Sequence, residues 1–266
     1  PIGGWDERLL LGQNVIMEPQ VKRIHGIIGA LPPHILTPEI RKKPVQIDSL
    51  WMDFGFLSRE EAEEAGVKVG TVTTLSSGFH ELPGGRLMGK AFDDRSGCNI
   101  LAQTAINLQD KELPYTICFA WSAQEEVGLR GATTSSYTLT EQYNIQMAVA
   151  VENTTAGDVP GVKPQRSPTK MGEGPAITIA DRSMIADKKV VNRLIAVAEE
   201  NNIPYQFKLP ASGGTDAGRI HLTRSGIPTS VVSVPGRYIH SQSSIIDKRD
   251  LIAAVDLITA FCLYSP

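Results

Sequence analysis

From about Arg86 onward, short apolar runs alternate with stretches of helical period, and that alternation restricts the chain to few folds. The runs Tyr115–Trp121 (YTICFAW), Gln146–Val151 (QMAVAV), Ala176–Ile179 and Thr229–Val234 (TSVVSV) read as buried strands, being rich in β-branched, aromatic or small apolar residues. Apolar residues at helical spacing predict helices over Gly97–Leu108, Val190–Asn201 and Leu251–Leu263. Strands and helices in alternation build a layered α/β domain around a parallel or mixed sheet.

Upstream of that point the pattern differs. Residues 1–87 carry short apolar patches broken by Gly and Pro, such as Gln13–Met17, His25–Gly29 and Leu50–Phe54. Such spacing predicts a small β-rich unit, a barrel or a sandwich. One helix interrupts it, with Ser58 as N-cap, Glu61 three residues on and Gly66 as terminator. The expected division is therefore 1–87 and 88–266.

A net charge of -3, without a basic stripe, argues against a nucleic-acid partner. The 3 Cys are widely spaced, with no CxxC pair, which points to a reducing compartment. Cys98 and Cys118 read as small buried hydrophobes. No apolar run reaches the roughly 18 residues of a membrane span, so a cytoplasmic location is expected. The first residue is Pro1, not Met, which reads as truncation, processing or an amino-terminal segment outside the sequence.

Chemistry concentrates after the predicted strands, where open α/β sheets bind ligands. Asp93 and Asp94 precede a helix start, where acids are also favoured for electrostatic reasons alone. Glu125 and Glu126 follow the run ending at Trp121; adjacent carboxylates repel, and a bound cation removes the conflict. Their plainer reading is an exposed acidic turn. Glu152 ends QMAVAV, and a carboxylate at the tip of a buried strand needs a partner. His240 follows TSVVSV, although a lone His is more often structural. Carboxylates plus imidazole suit Zn, Co or Mn, and a carboxylate left free beside such ions serves as a base for hydrolysis.

The segments GKAFDDRSG, AQEEVGLRGA, VENTTAGD, GPAITIADRSMI, SGGTDAG and RYIHS, in this order, resemble the tetrahedral (TET) aminopeptidases, a group that includes deblocking aminopeptidases and so-called cellulase-M proteins. PIGGWDERLLLGQNV and IIGALPPHILTPE resemble that family's inserted domain, so the likeness covers essentially the whole chain. It implies an α/β/α metallopeptidase core with a mostly mixed central sheet, plus an inserted small β-barrel dimerisation domain. It further implies two divalent ions, Zn or Co, and hydrolysis of amino-terminal residues from short peptides. By the same likeness Asp93 would bridge both ions and join Asp94 through a cis peptide. Glu125 would be the general base. Glu126 and His240 would hold one ion, and Glu152, where many relatives carry Asp, the other. A homo-oligomer is implied, dimers assembling into a tetrahedral dodecamer. Trp51 and Phe54 could serve such contacts, core packing being the plainer reading of each. Asp216 reads equally as a residue shaping the site and as a structural one.

One departure is an absence. Relatives carry a His-x-Asp ligand motif upstream of the inserted domain, and none of the five His stands in such a setting. His25, His34 and His80 read as surface or structural residues. On this reading the Glu152 site lacks its His. Two rivals follow: a catalytically impaired assembly subunit, and a glycoside hydrolase using paired carboxylates.

Overall fold

A computed structural model describes residues 1–19, 22–209 and 213–264. The first half contains β1 (Asn14–Met17), β2 (Ile24–Gly29), a one-turn α1 (Pro38–Arg41), β3 (Trp51–Asp53), α2 (Arg59–Glu64) and β4 (Thr73–Leu75). Next come the hairpin β5 (His80–Leu82) and β6 (Arg86–Gly89), then α3 (Phe92–Leu108), α4 (Arg130–Gln142) and β7 (Ala148–Thr155). The chain continues through β8 (Ala176–Thr178), α5 (Lys188–Glu200), β9 (Gln206–Lys208) and a one-turn α6 (Ala217–Ile220). It ends with β10 (Thr229–Arg237), β11 (Ser244–Asp247) and α7 (Lys248–Leu263).

Two sheets result. The smaller is antiparallel, in the order β3-β2-β1-β4, around Val15, Ile28 and Leu75, with Phe54 packed against them. Its order is open: among the described residues no pairing joins β3 to β4, so the closed barrel expected from the sequence is not seen. A few short strands bury too little apolar surface to require closure. Trp51 is 46% exposed, against its plainer reading as core, while Phe54 does enter the core. Ser58 caps α2 through the Glu61 N–H, and Glu61 Oε2 returns to accept from the Leu57 N–H, one residue before the box position.

The larger sheet has seven strands, along the path β5-β6-β11-β10-β8-β9, with β7 beside β10. β7–β10 and β8–β9 run parallel and the other pairs antiparallel, giving the mixed sheet expected. β10 is buried almost throughout because helices cover both faces. Val232 and Val234 meet Leu194 and Val197 of α5, Leu257 of α7 and Ile100 of α3. Val231, of opposite parity, meets Ala150, Met184 and Ala217. Each such fully buried aliphatic side chain contributes about 1.5–3 kcal/mol. Asp187 and Asp247 cap α5 and α7 by accepting from the N–H groups of Lys189 and Arg249.

The predicted strand over Tyr115–Trp121 is not formed. β propensity needs a ladder partner for the backbone donors and acceptors, and among the described residues this run has none. Ile117 and Phe119 still pack against the core, while Tyr115 and Trp121 are exposed. Cys98 and Cys118 are half-buried rather than buried.

Candidate metal centre

β7 and β10 run side by side with Glu152 opposite Ser233, so their carboxyl ends reach the same sheet edge. Beyond β10 the chain turns through Tyr238 (φ 62) and His240 (φ 59). β6 leads to the Asp93–Asp94 cis peptide through Ala91 (φ 56). Glu125 and Glu126 occupy a single 3-10 turn, entered through Gln124 (φ 61) and left through Gly128 and Leu129 (φ 58). Left-handed backbone costs a non-glycine residue on the order of 1–3 kcal/mol and persists where the surroundings over-determine it. Three separate turns here share that strain and aim their side chains at one place.

Donor atoms of Asp93, Glu126 and His240 all lie within 4.8 Å of one another, and so do those of Asp93, Asp94 and Glu152. Asp93 is common to both groups. His240 Nε2 stands 3.2 Å from Asp93 Oδ2, and its Nδ1 lies 2.9 Å from the Gly4 carbonyl oxygen. Asp94 Oδ1 accepts from the Gly97 N–H at 2.9 Å, and a Cβ on Gly97 would stand 2.2 Å from Asp94 Oδ2, so only glycine fits. A cavity of about 240 Å³ borders the first group, lined by Ile2–Trp5, Lys90 and Ser241 among others. Glu152, only 6% exposed, lies on the closed side.

The electrostatics ask for cations. Burial pushes Asp94 up to about 8, helped by the charges of Asp93 and Glu125. Glu125 rises to about 7 through burial and then the charges of Glu126, Asp216 and Asp93. Glu126 and Asp216 are also raised, chiefly by burial, and Glu152 stands well above the ordinary carboxylate range. Among the described residues the one donor to Glu152 is the Asp216 N–H, at a long 3.4 Å from Oε1. The hydrogen bond to Asp93 lifts His240 to about 9, so a protonated imidazole supplies some of the missing positive charge. Oxygen donors with one imidazole, mutually repelling until a cation arrives, fit divalent ions.

A pH dependence follows for the metal-free protein. A carboxyl raised on folding holds more protons folded than unfolded, so stability falls as pH climbs from the ordinary value to the raised one. For Asp94 and Glu125 that window runs from 3.8 and 4.5 to about 8 and about 7. His240, raised from 6.5 to about 9, acts in the same direction. The chelated protein is therefore expected to show a lower urea midpoint at pH 8 than at pH 5.5, an order that divalent ions reverse. Equal midpoints after chelation would contradict the account.

Of the residues singled out in the sequence, Asp93, Glu126 and His240 meet in one group and Glu152 joins Asp93 in the other. Glu125 belongs to neither. His25, His34 and His80 are exposed and outside both. Sequence reasoning missed Asp94 as a third donor beside Glu152, because its neighbour already accounted for the acidic pair. It also missed the Gly4 carbonyl behind His240, since a backbone oxygen leaves no trace in residue type. Within SGGTDAG, Ser212 lies outside the described residues; Asp216 stands next to Glu152.

Residues 1–257 match the family described as M42 glutamyl aminopeptidase. A lysyl aminopeptidase of Pyrococcus furiosus is 33% identical over 263 residues, which are 98% of this chain and 72% of the relative. A TET aminopeptidase from a marine-sediment Thaumarchaeota archaeon superposes with a TM-score of 0.94 at 42% identity, covering 98% of this chain and 72% of that one. A TET1 peptidase of Pyrococcus horikoshii, described as able to assemble into a tetrahedron or a large octahedral shell, gives 0.85 at 32% identity, covering 99% and 76%.

Proposed function

The chain belongs to the M42 glutamyl aminopeptidase family, and from that premise we propose that it removes single residues from the amino end of short peptides with two bound divalent ions. The observation that most supports this is the sharing of Asp93 by two neighbouring donor groups. Asp93, Glu126 and His240 would hold one ion, and Asp93 with Glu152 the other, Asp94 standing within reach. When bound, such ions polarise the scissile carbonyl and make water a competent nucleophile near neutral pH.

The chain's own residues do the rest. Glu125, outside both groups yet beside Glu126, takes the proton from the attacking water and returns it to the leaving amine. The Gly4 carbonyl accepts from Nδ1 of His240 and leaves Nε2 facing the centre. The acidic surroundings favour the positively charged amino terminus of the peptide. Zinc and cobalt both suit the donors.

The smaller sheet is the natural dimerisation unit on this reading, since Ile27, Trp51 and Met52 are exposed on it. The tetrahedron or large octahedral shell described for the Pyrococcus horikoshii relative supports assembly into a closed homo-oligomer, for which a tetrahedral dodecamer is our reading. Among the described residues no helix is long and apolar enough to cross a membrane. Together with the free Cys98, Cys118 and Cys262, a cytoplasmic site fits best.

The test uses the intact gene product with a free-amine dipeptide, its N-acetylated form and carboxymethylcellulose. Cleavage of the first alone, lost on chelation and regained with zinc or cobalt, is expected. Chelator-insensitive cellulose hydrolysis, or cleavage of the acetylated peptide at a like rate, would overturn the reading.

A further inference from the structure

His240 is the only donor in the two groups that is not a carboxylate, and the core does not hold it. Its side chain is 41% exposed. It stands on the turn between β10 and β11, where Tyr238 and His240 both adopt left-handed backbone. Within that turn the Ser241 hydroxyl lies 2.6 Å from the Tyr238 carbonyl oxygen and 2.9 Å from that of Ser243. Such backbone persists where contacts from outside over-determine it. A metal ligand must also be locked in one rotamer, and an imidazole this exposed needs neighbours to lock it.

Those neighbours come from the half of the chain that carries the smaller sheet, and they approach from two sides. On one side is the turn Ile2–Trp5. The Trp5 indole N–H donates to the Ile2 carbonyl at 2.9 Å and closes that turn over two glycines. Gly3 has φ 78, and a Cβ there would stand 3.3 Å from Glu126 Cβ and 3.5 Å from its Oε2. A Cβ on Gly4 would stand 3.5 Å from His240 Nδ1, the nitrogen that lies 2.9 Å from the Gly4 carbonyl oxygen. The bare turn thus meets both donors that serve the open-side ion alone. A carbonyl oxygen only accepts, so Nδ1 carries the hydrogen and Nε2 is left for a cation. The turn is anchored behind: Asp6 caps the 3-10 turn Glu7–Leu9, and Leu10 is buried with Val15, Ile28 and Leu75.

On the other side is the segment that follows β4. The Ser76 N–H donates to the Asn14 carbonyl at 2.8 Å, which ties this segment to β1. The Ser76 carbonyl in turn accepts from the side-chain amide of Gln242, and the hydroxyls of Ser77 and Ser243 meet. The two grips are remote in sequence, yet both end on the core of the same small sheet.

We infer that the smaller sheet supports the metal centre directly, with Trp5 and Gln242 as positioning residues that hold His240, and so the open-side ion, in ligating geometry. Neither residue touches the reacting bond. Trp5 acts through the Gly4 carbonyl, and Gln242 acts through the backbone of the turn that presents His240. The enclosed ion, held by Asp93 and Glu152, does not depend on either grip. This role is separate from dimerisation through the same sheet. The inference rests on the two-ion reading.

The test is calorimetric titration of the metal-free intact gene product with zinc, in wild type, Trp5→Phe and Gln242→Met. Trp5→Phe keeps a ring and removes the N–H; Gln242→Met keeps the length and removes the amide. Each is expected to weaken the open-side ion by on the order of tenfold, the lower end of what losing an outer partner costs a metal ligand. The enclosed ion should bind as in wild type. Cobalt in the open site should change its visible absorption, which follows ligand geometry. Equal loss at both ions would reduce the two residues to general stability, and unchanged affinities with an altered KM would make Trp5 a peptide contact; either result overturns the inference. A titration in which His240→Ala matches wild type would instead sink the two-ion reading. If neither variant folds, wild type decides by reciprocity, since an ion that the grips favour must in turn steady the grips. Saturating zinc should then slow amide exchange in residues 2–10 and 76–78 together with 237–244, and slowing confined to 237–244 overturns the inference.

Discussion

Replacing Glu125 by Gln is expected to lower kcat for peptide hydrolysis by about 10²–10⁴-fold with bound metal unchanged. Gln keeps the shape and the hydrogen-bonding reach of Glu but cannot carry a proton away. Glu125 lies outside both donor groups, so its loss removes no ligand. It nevertheless feels the charges of Glu126, Asp216 and Asp93, which places it against the centre rather than on a distant surface. Burial lifts its carboxyl to about 7 in the metal-free protein, and nearby dications would bring it down again. A base acts in the transition state, so the loss should fall on kcat and leave KM nearly untouched. The adjacent Glu126→Gln is the control: it removes a donor, so activity and metal content should fall together. Near-wild-type turnover in Glu125→Gln, or a metal loss in step with its activity loss, would show that Glu125 is not the base.

How far the sequence foretells this arrangement depends on what each residue answers to. Val231, Val232 and Val234 lie in a run buried on both sides, and composition alone marks such a run as a strand. Asp93 and His240 follow β6 and β10, and position after a strand is legible in one dimension; Glu152 lies within β7 rather than at its tip, and the run before Glu126 forms no strand. Tyr115–Trp121 has the same composition as a central strand and forms none, because pairing depends on a partner elsewhere in space. The open order of the smaller sheet is hidden for the same reason: alternation and turn residues specify strands, not whether the last one meets the first. Lys208 escapes notice too. A single lysine in QFKLP reads as a surface residue until strand pairing sets it opposite Thr178, 5% exposed.

Asp93→Asn should abolish activity and weaken binding of both ions by more than about 10²-fold, the upper end of what losing an outer-sphere partner costs. Asp93 alone belongs to both donor groups, so no other single substitution is expected to empty both. His240→Ala should release only the ion on the open side and Glu152→Gln only the enclosed one, and calorimetric titration separates the three cases. Stability gives a second readout with an opposite sign. The Asp93 charge helps raise Asp94, Glu125, Glu126 and Glu152, so without metal it adds to the repulsion the fold must contain. Removing that charge relieves four carboxylates and forfeits one pairing, the 3.2 Å contact that lifts His240 to about 9. Metal-free Asp93→Asn should therefore unfold at a higher urea concentration than metal-free wild type. With ion at 100 times its dissociation constant the order inverts, because wild type gains about 2.7 kcal/mol per site and the variant gains almost nothing. A variant that still binds two ions, or one that is less stable than wild type after chelation, would mean that Asp93 holds the backbone in place rather than joining two cations.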